Sequence, residues 1–221
     1  MLQRLSQEDL KKIVALPVVG MTEHNRDEMA IPSYLHTNPL IRWLMWKRYE
    51  KIAELASLNN SMSVLEFGCG IGLFLPTLAN WCANVYAIDL FPDYAKRLAD
   101  TFCLKVNFIQ SIAAGVDVRL DCIIAADVLE HLDDPSTYLA QFRNMLNPDG
   151  KLIVSGPTEN IVYRIGRLIA GFGGKGDYHH TNIDLLIPII VSAGFEPIRT
   201  IRLPFCLPPT LFKVCSFRRS Y

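Results

Sequence analysis

The stretch Val64-Leu65-Glu66-Phe67-Gly68-Cys69-Gly70-Ile71-Gly72 decides how this 221-residue chain is read. An apolar strand ends at Phe67, three alternate glycines turn the backbone, and a helix pattern begins at once. Glycine lets the main chain approach a ligand closely and take conformations that a Cβ forbids. The dinucleotide pattern G-x-G-x-x-G would put its third glycine at position 73, which is Leu73 here, so the spacing is G-x-G-x-G. Glu66 also counts against a pyrophosphate, which it would repel. It can instead face the ammonium of an amino-acid ligand, directly or through water. The alternative is an ordinary tight turn between strand and helix.

Outward from this turn, short apolar runs alternate with helical stretches. The runs are Met62–Phe67, Asn84–Asp89, Lys105–Ile109, Asp121–Ala126 and Lys151–Ser155. Several are too uniformly apolar to keep one face wet, which points to a parallel sheet covered by helices on both sides. Helices are expected near Leu73–Trp81, Asp93–Phe102 and Pro135–Leu146, the last started by Asp134-Pro135. Asn147-Pro148-Asp149-Gly150 reads as a turn. Beyond Ser155 a helix-like stretch, Glu159–Ala170, leads into a glycine-rich loop, another helix is expected near Asn182–Ala193, and two β-like runs follow, Phe195–Leu203 and Leu211–Phe217.

The first sixty residues read as helical. Asn38 is placed to cap a helix that starts at Pro39 and carries Ile41, Leu44, Met45, Tyr49, Ile52 and Ala56 on one face, with Arg42, Lys47, Arg48, Lys51 and Glu54 mostly on the others. The stretch from Gly20 to Thr37 reads as a loop. The organisation expected is a helical cap over residues 1–60 and an α/β unit over residues 61–221, forming one structural unit.

Lys plus Arg and Asp plus Glu are equal at 22 each, which argues against a nucleic-acid partner, since phosphate backbones select a basic excess. No apolar run reaches the ~18 residues of a membrane span, and charges occupy the place of a signal-peptide core, so a cytoplasmic protein is expected. The six cysteines are scattered without a C-x-x-C pair and read as buried small hydrophobes, with no metal site expected; Cys206 and Cys215 would meet if their segments paired.

Asp89 closes the second apolar run, where an acid can accept hydrogen bonds from both hydroxyls of a ribose; capping the next helix is its structural alternative. The segment Asp121–Pro135 is a buried strand that breaks into the polar run Asp127-Val128-Leu129-Glu130-His131-Leu132. With Val64–Gly72 and Asp89 it resembles the class I S-adenosylmethionine-dependent methyltransferases, and most closely the small-molecule branch containing the ubiquinone-pathway O-methyltransferases. The resemblance is good over Met62–Ser155 and loose over Asn182–Phe217.

It implies an α/β fold: a Rossmann-like, doubly wound, seven-stranded sheet, mostly parallel with an antiparallel edge strand, under an N-terminal helical cap. It implies S-adenosylmethionine as cofactor, with S-adenosylhomocysteine as its product, and a small-molecule methyl acceptor. Glu66, Phe67, Gly68, Cys69, Gly70 and Gly72 would hold the donor, with Glu66 toward its ammonium, Asp89 would hold its ribose, Leu90 would also contact it, and Asp127 and Val128 would line its pocket. Near the adenine the family often has an acid, whereas this chain reads Gln110-Ser111-Ile112, so those three are the candidates there.

Methyl transfer to a hydroxyl or ammonium needs a group that takes a proton near neutral pH, and histidine is the natural one. His131 follows the fourth strand at the carboxyl edge of the sheet; His179 and His180 follow the glycine-rich loop, and all three are catalytic candidates. Tyr34, His24 and His36 sit in the region that covers the cofactor in this family. Apolar residues beside arginines in Asn160–Phe172, and Trp43 and Trp46 beside Arg42, Lys47 and Arg48, read as core packing, with contact to a membrane surface as the alternative. The activity implied is methylation of an O or N atom of a small molecule, lipid-like or sugar-containing. Two rivals share the glycine turn: a nicotinamide-dependent oxidoreductase and a non-catalytic cofactor-binding protein.

Overall fold

A computed structural model of the chain describes residues 2–112, 118–169, 181–205 and 209–220. Among them, seven strands form one sheet: β1 (Ser63–Phe67), β2 (Asn84–Ile88), β3 (Asn107–Phe108), β4 (Leu120–Ala126), β5 (Leu146–Pro157), β6 (Phe195–Leu203) and β7 (Phe212–Arg219), in the order β3-β2-β1-β4-β5-β7-β6. The first five pair in parallel, and β7 runs against both β5 and β6. The doubly wound fold expected from the sequence is thus present. The antiparallel strand lies one place in from the edge, and β6 forms the edge itself.

The uniformly apolar strands follow from burial on both faces. Leu65, Ile123, Ala125, Leu152 and Val154 point to one layer, where helices α7 (Pro135–Met145) and α9 (Ile183–Ser192) contribute Leu139, Phe142, Leu186 and Ile190. Val64, Cys122, Ile124 and Ile153 point to the other, against Ile52, Leu55, Phe74, Leu75, Leu78 and Ala95 from α4 (Pro39–Ala56), α5 (Leu75–Trp81), α6 (Asp93–Thr101) and the turn before α5. The alternation is the period-two pleat with neither face wet.

The N-terminal region is mainly helical. Besides α1 (Gln7–Val14) and α4, the stretch expected to be a loop holds α2 (Glu23–Glu28) and α3 (Ile31–Tyr34). Thr22 and Asn25 form a reciprocal capping box that starts α2, and Ile31 and Tyr34 are buried. Helices of six and four residues are too short to show a period, so the polar composition hid them. Helix α4 starts as expected: Asn38 Oδ1 accepts from the Leu40 N–H at 2.9 Å, and Pro39 follows. Arg48, however, lies on its buried face with Met45 and Ile52, at spacings of three and four residues.

Other differences are local. The third strand is cut to two residues, and Asn147–Gly150 belongs to a long β5 where pairing with β4 shifts register between Leu120 and Cys122. Helix α8 (Ile161–Ile169) departs from the core-packing expectation: Tyr163 meets the Phe212 ring edge-on at 5.4 Å, while Ile161, Val162 and Ile165 are exposed. Trp46 is buried and Trp43 is exposed. Cys69, Cys122 and Cys215 are buried free thiols, but Cys103 is exposed, and Cys206 lies outside the described residues. No described helix is long and apolar enough to cross a membrane.

Gly72 lets the glycine turn pack closely against α6. Its φ is +79°, and a Cβ there would stand 3.0 Å from the Ala95 backbone on α6. Gly72→Ala is expected to lower unfolding free energy in urea by about 2–4 kcal/mol, since strain and backbone overlap combine. Gly20→Ala, at φ +81° with nothing within 4 Å, is expected to cost only about 1 kcal/mol.

Candidate functional site

The carboxyl ends of β1, β2 and β4 open into one cavity of about 830 Å³. Its floor is the glycine turn. The N–H groups of Gly68 and Cys69 both donate to the Ile88 carbonyl, at 2.9 and 3.1 Å, which ties the turn to the end of β2. Asp89 then clamps it: the Gly70 N–H donates to one carboxylate oxygen at 2.7 Å and the Phe91 N–H to the other at 2.9 Å. Asp89 does not cap α6, whose first turn has no side-chain cap, and it lines the cavity, where its carboxylate can accept from a ligand hydroxyl. A Cβ on Gly68 would stand 2.4 Å from Val128 Cγ2, so only glycine lets the loop after β4 close over the turn.

The cavity collects most of the residues singled out in the sequence. Phe67, Gly68, Cys69, Gly70, Asp89, Leu90, Gln110, Ser111, Ile112, Asp127, Val128 and His131 all line it. Glu66 and Gly72 do not. Glu66 is 1% exposed beneath the turn, and one of its carboxylate oxygens has no hydrogen-bond partner. Burial, reinforced by the Asp89 charge, pushes the Glu66 carboxyl well above the ordinary carboxylate range. Burial also raises Asp89, against the lowering effect of the Phe91 and Gly70 amides. His179 and His180 lie outside the described residues.

The cap supplies Tyr34, which the sequence offered as a cover, and four residues that it did not single out for the site. Asn25, Met29, Tyr34, Arg48 and Tyr49 form the roof. Arg48 is 5% exposed and ion-pairs through Nη1 with Asp127, while Nη2 donates to the Tyr34 hydroxyl at 3.3 Å and the guanidinium lies 4.7 Å from the Phe212 ring centre. Burial works against its charge, but the Asp127 carboxylate and the two tyrosines raise its pKa above the ordinary value. The signal was present: Arg48 interrupts the apolar stripe Met45, Ile52, Leu55, where a buried cation needs a partner. Asp127 is held at φ +53°, and the Ser155 hydroxyl donates to its other oxygen at 3.2 Å. Among the described residues, Arg48 is the only lysine or arginine on a wall that carries Asp89, Asp127, Asp133 and Asp134.

A glycine turn closed by a ribose-type acid, with a carboxylate and an arginine beyond it, matches an adenosyl group that ends in an amino acid. A family model described as a methyltransferase domain matches residues 41–186. The chain belongs to the methyltransferase-domain family. The fold is that of the class I, S-adenosylmethionine-dependent members. Among curated relatives, the ubiquinone biosynthesis O-methyltransferase of Xylella fastidiosa (strain M23) is 33% identical over 115 residues, 49% of this chain and 46% of the relative. That of Azorhizobium caulinodans is 33% identical over 100 residues, 42% and 40% of the two chains. This chain thus spans under half the length of the curated relatives it matches. The N-methyltransferase NodS from Bradyrhizobium japonicum WM9, solved with S-adenosyl-L-homocysteine, aligns with a TM-score of 0.68 at 20% identity, over 90% of this chain and 98% of that one. Magnesium protoporphyrin IX methyltransferase from Synechocystis PCC 6803, also solved with that product, aligns with a TM-score of 0.64 at 18% identity, over 88% and 94%.

The raised Glu66 carboxyl carries a stability consequence for this methyltransferase fold. The folded chain keeps the Glu66 proton where the unfolded chain loses it, so stability drops as pH rises past about 4.3, the unfolded value. Glu66→Gln is expected to remove that contribution: in urea titrations its stability relative to the parent improves from pH 5 to pH 8. An unchanged difference would mean that Glu66 is ionised in the fold.

Proposed function

We propose that the protein transfers a methyl group from S-adenosylmethionine to an O or N atom of a small molecule, lipid-like or sugar-containing. The observation that carries this is the cavity's polarity: Asp89 at the glycine turn suits a ribose diol, and the buried pair Arg48–Asp127 suits the carboxylate and ammonium of the donor's amino-acid end. Leu90, Gln110, Ser111 and Ile112 on the same wall suit an adenine, with an apolar contact and amide-type donors and acceptors. The O-methyltransferase names of the curated relatives and the N-methyltransferase name of the structural one support both acceptor types.

When bound, the sulfonium supplies an already activated methyl group and a neutral thioether leaving group. The chain's own residues then have three tasks. The turn Gly68–Gly70, with Asp89, fixes the donor so that the methyl faces one direction, which converts a bimolecular encounter into an oriented one. Met29, Tyr34 and Tyr49 in the roof exclude water. His131 on the cavity wall takes the proton that a hydroxyl or ammonium acceptor must lose, provided the acceptor enters beside Asp127.

Calorimetry is expected to detect S-adenosylhomocysteine binding to the parent protein and none with NADH; NADH binding alone would sink this reading. Asp89→Ala should weaken the adenosyl ligand by about 10–100-fold through loss of charge-assisted hydrogen bonds. Once an acceptor panel yields turnover, His131→Ala should lower kcat by about 10²–10⁴ and leave donor affinity nearly unchanged. Equal kcat in that variant would remove the base role.

A further inference from the structure

Helix α8 turns to solvent the kind of side chain that the rest of the chain buries. Ile161 is 75% exposed, Val162 44% and Ile165 50%, whereas Ile123, Ile124 and Ile153 in the sheet are fully buried. A single exposed apolar residue is ordinary, but these three share one stripe of a helix, at spacings of one and four residues. The helix is held firmly from elsewhere. Asn160 Oδ1 accepts from the Tyr163 N–H at 2.9 Å, the Asn160 amide donates to the Thr158 hydroxyl at 2.9 Å, and the Tyr163 ring meets Phe212 edge-on at 5.4 Å. The stripe is therefore presented outward by a fixed element.

The charge on α8 has one sign. Arg164 and Arg167 are its charged residues, and none of its nine positions is acidic. Arg164 is exposed between Val162 and Ile165, and Glu159, just before the helix, is half-buried. The chain as a whole is neutral, so this is a local excess. Isoleucines beside arginines on a fixed surface helix match an anionic bilayer surface, where apolar side chains enter the headgroup–acyl boundary and guanidinium groups meet lipid phosphates. At 1.5 Å per residue, nine residues reach about 14 Å, so the helix can lie on a membrane but not cross its core of roughly 30 Å. Three side chains also fall far short of the ~800 Å² per partner that a stable dimer buries.

We propose that α8 docks the protein on an anionic lipid bilayer, with Ile161, Val162 and Ile165 in the acyl boundary and Arg164 among the phosphates. The docked face adjoins the cavity. Tyr163 packs on Phe212, and the Arg48 guanidinium of the cavity roof lies 4.7 Å from the centre of that ring. The inference goes beyond the methyl-transfer reading and does not depend on it.

The test is flotation of the full chain with vesicles of phosphatidylcholine alone, and of three parts phosphatidylcholine to one part phosphatidylglycerol. The parent is expected to float with the anionic vesicles, to stay behind with the neutral ones, and to be released as salt is raised. Ile161→Ser combined with Ile165→Ser should weaken binding about tenfold, and Arg164→Glu at least about fivefold. Ile198→Ser, an equally exposed isoleucine on β6, should change nothing. Thermal melts verify folding, and if the double variant fails to fold, Arg164→Glu and Ile198→Ser decide. No flotation, equal binding to both vesicles, or α8 variants that bind as the parent does would each overturn the proposal. So would sedimentation showing a dimer that Arg164→Glu dissolves, which would assign the face to a second copy. Donor binding is not read in this experiment, so its failure and the failure of the methyl-transfer reading remain distinct.

Discussion

The closure of the glycine turn against the ends of β2 and β4 is the constraint on which the site depends. Three strands must bring their carboxyl ends to one point, and each contributes backbone that cannot be left unpaired. The Ile88 carbonyl takes two amides of the turn, Asp89 takes a third, and the absent side chain of Gly68 leaves the space that Val128 fills. The ribose-type acid is therefore a structural clamp first. Any ligand it binds is met by a carboxylate already immobilised, so little ordering is lost on binding.

Around that point the protein gathers ionisable side chains at low exposure. Glu66, Glu130 and Arg48 are buried and Asp89 and Asp127 half-buried near the carboxyl ends of the strands, and Arg48–Asp127 is the one ion pair among them, joining α4 to the end of β4. Such pairs rarely stabilise a fold beyond what apolar packing would give. Their place beside the cavity fits a wall matched to a zwitterion, whose two charges would otherwise lose their hydration uncompensated. The cap is thus part of the site, since its arginine and tyrosines roof the cavity.

The legible and illegible parts of the sequence divide along physical lines. The strands of the parallel sheet are readable because burial on both faces leaves uninterrupted apolar runs such as Cys122–Ala126. Helix α7 is readable from its length and from its start at Asp134-Pro135. The helices α2 and α3 are not, because four to six residues cannot display a period. The charge of Arg48 suggests the outer face of α4, although its spacing from Met45 and Ile52 places it inward. The apolar residues of α8 suggest core, and Ile161 and Ile165 are exposed: periodicity reports that a helix has an apolar face but not what that face meets.

The sequence by itself determined the ordered strands, the position of the glycine turn and the acids at the ends of β1 and β2. Those features are local, each set by residues that are neighbours along the chain. Only the tertiary structure decided which charges would meet. Arg48 and Asp127 are 79 positions apart, and no local pattern records that α4 lays one over the end of β4. The same packing turned Glu66 from a residue facing a ligand into a buried support, and set Glu130 behind Gly156. A charge pair depends on distance in space and on the water excluded around it, and both exist only once the cap has closed on the sheet.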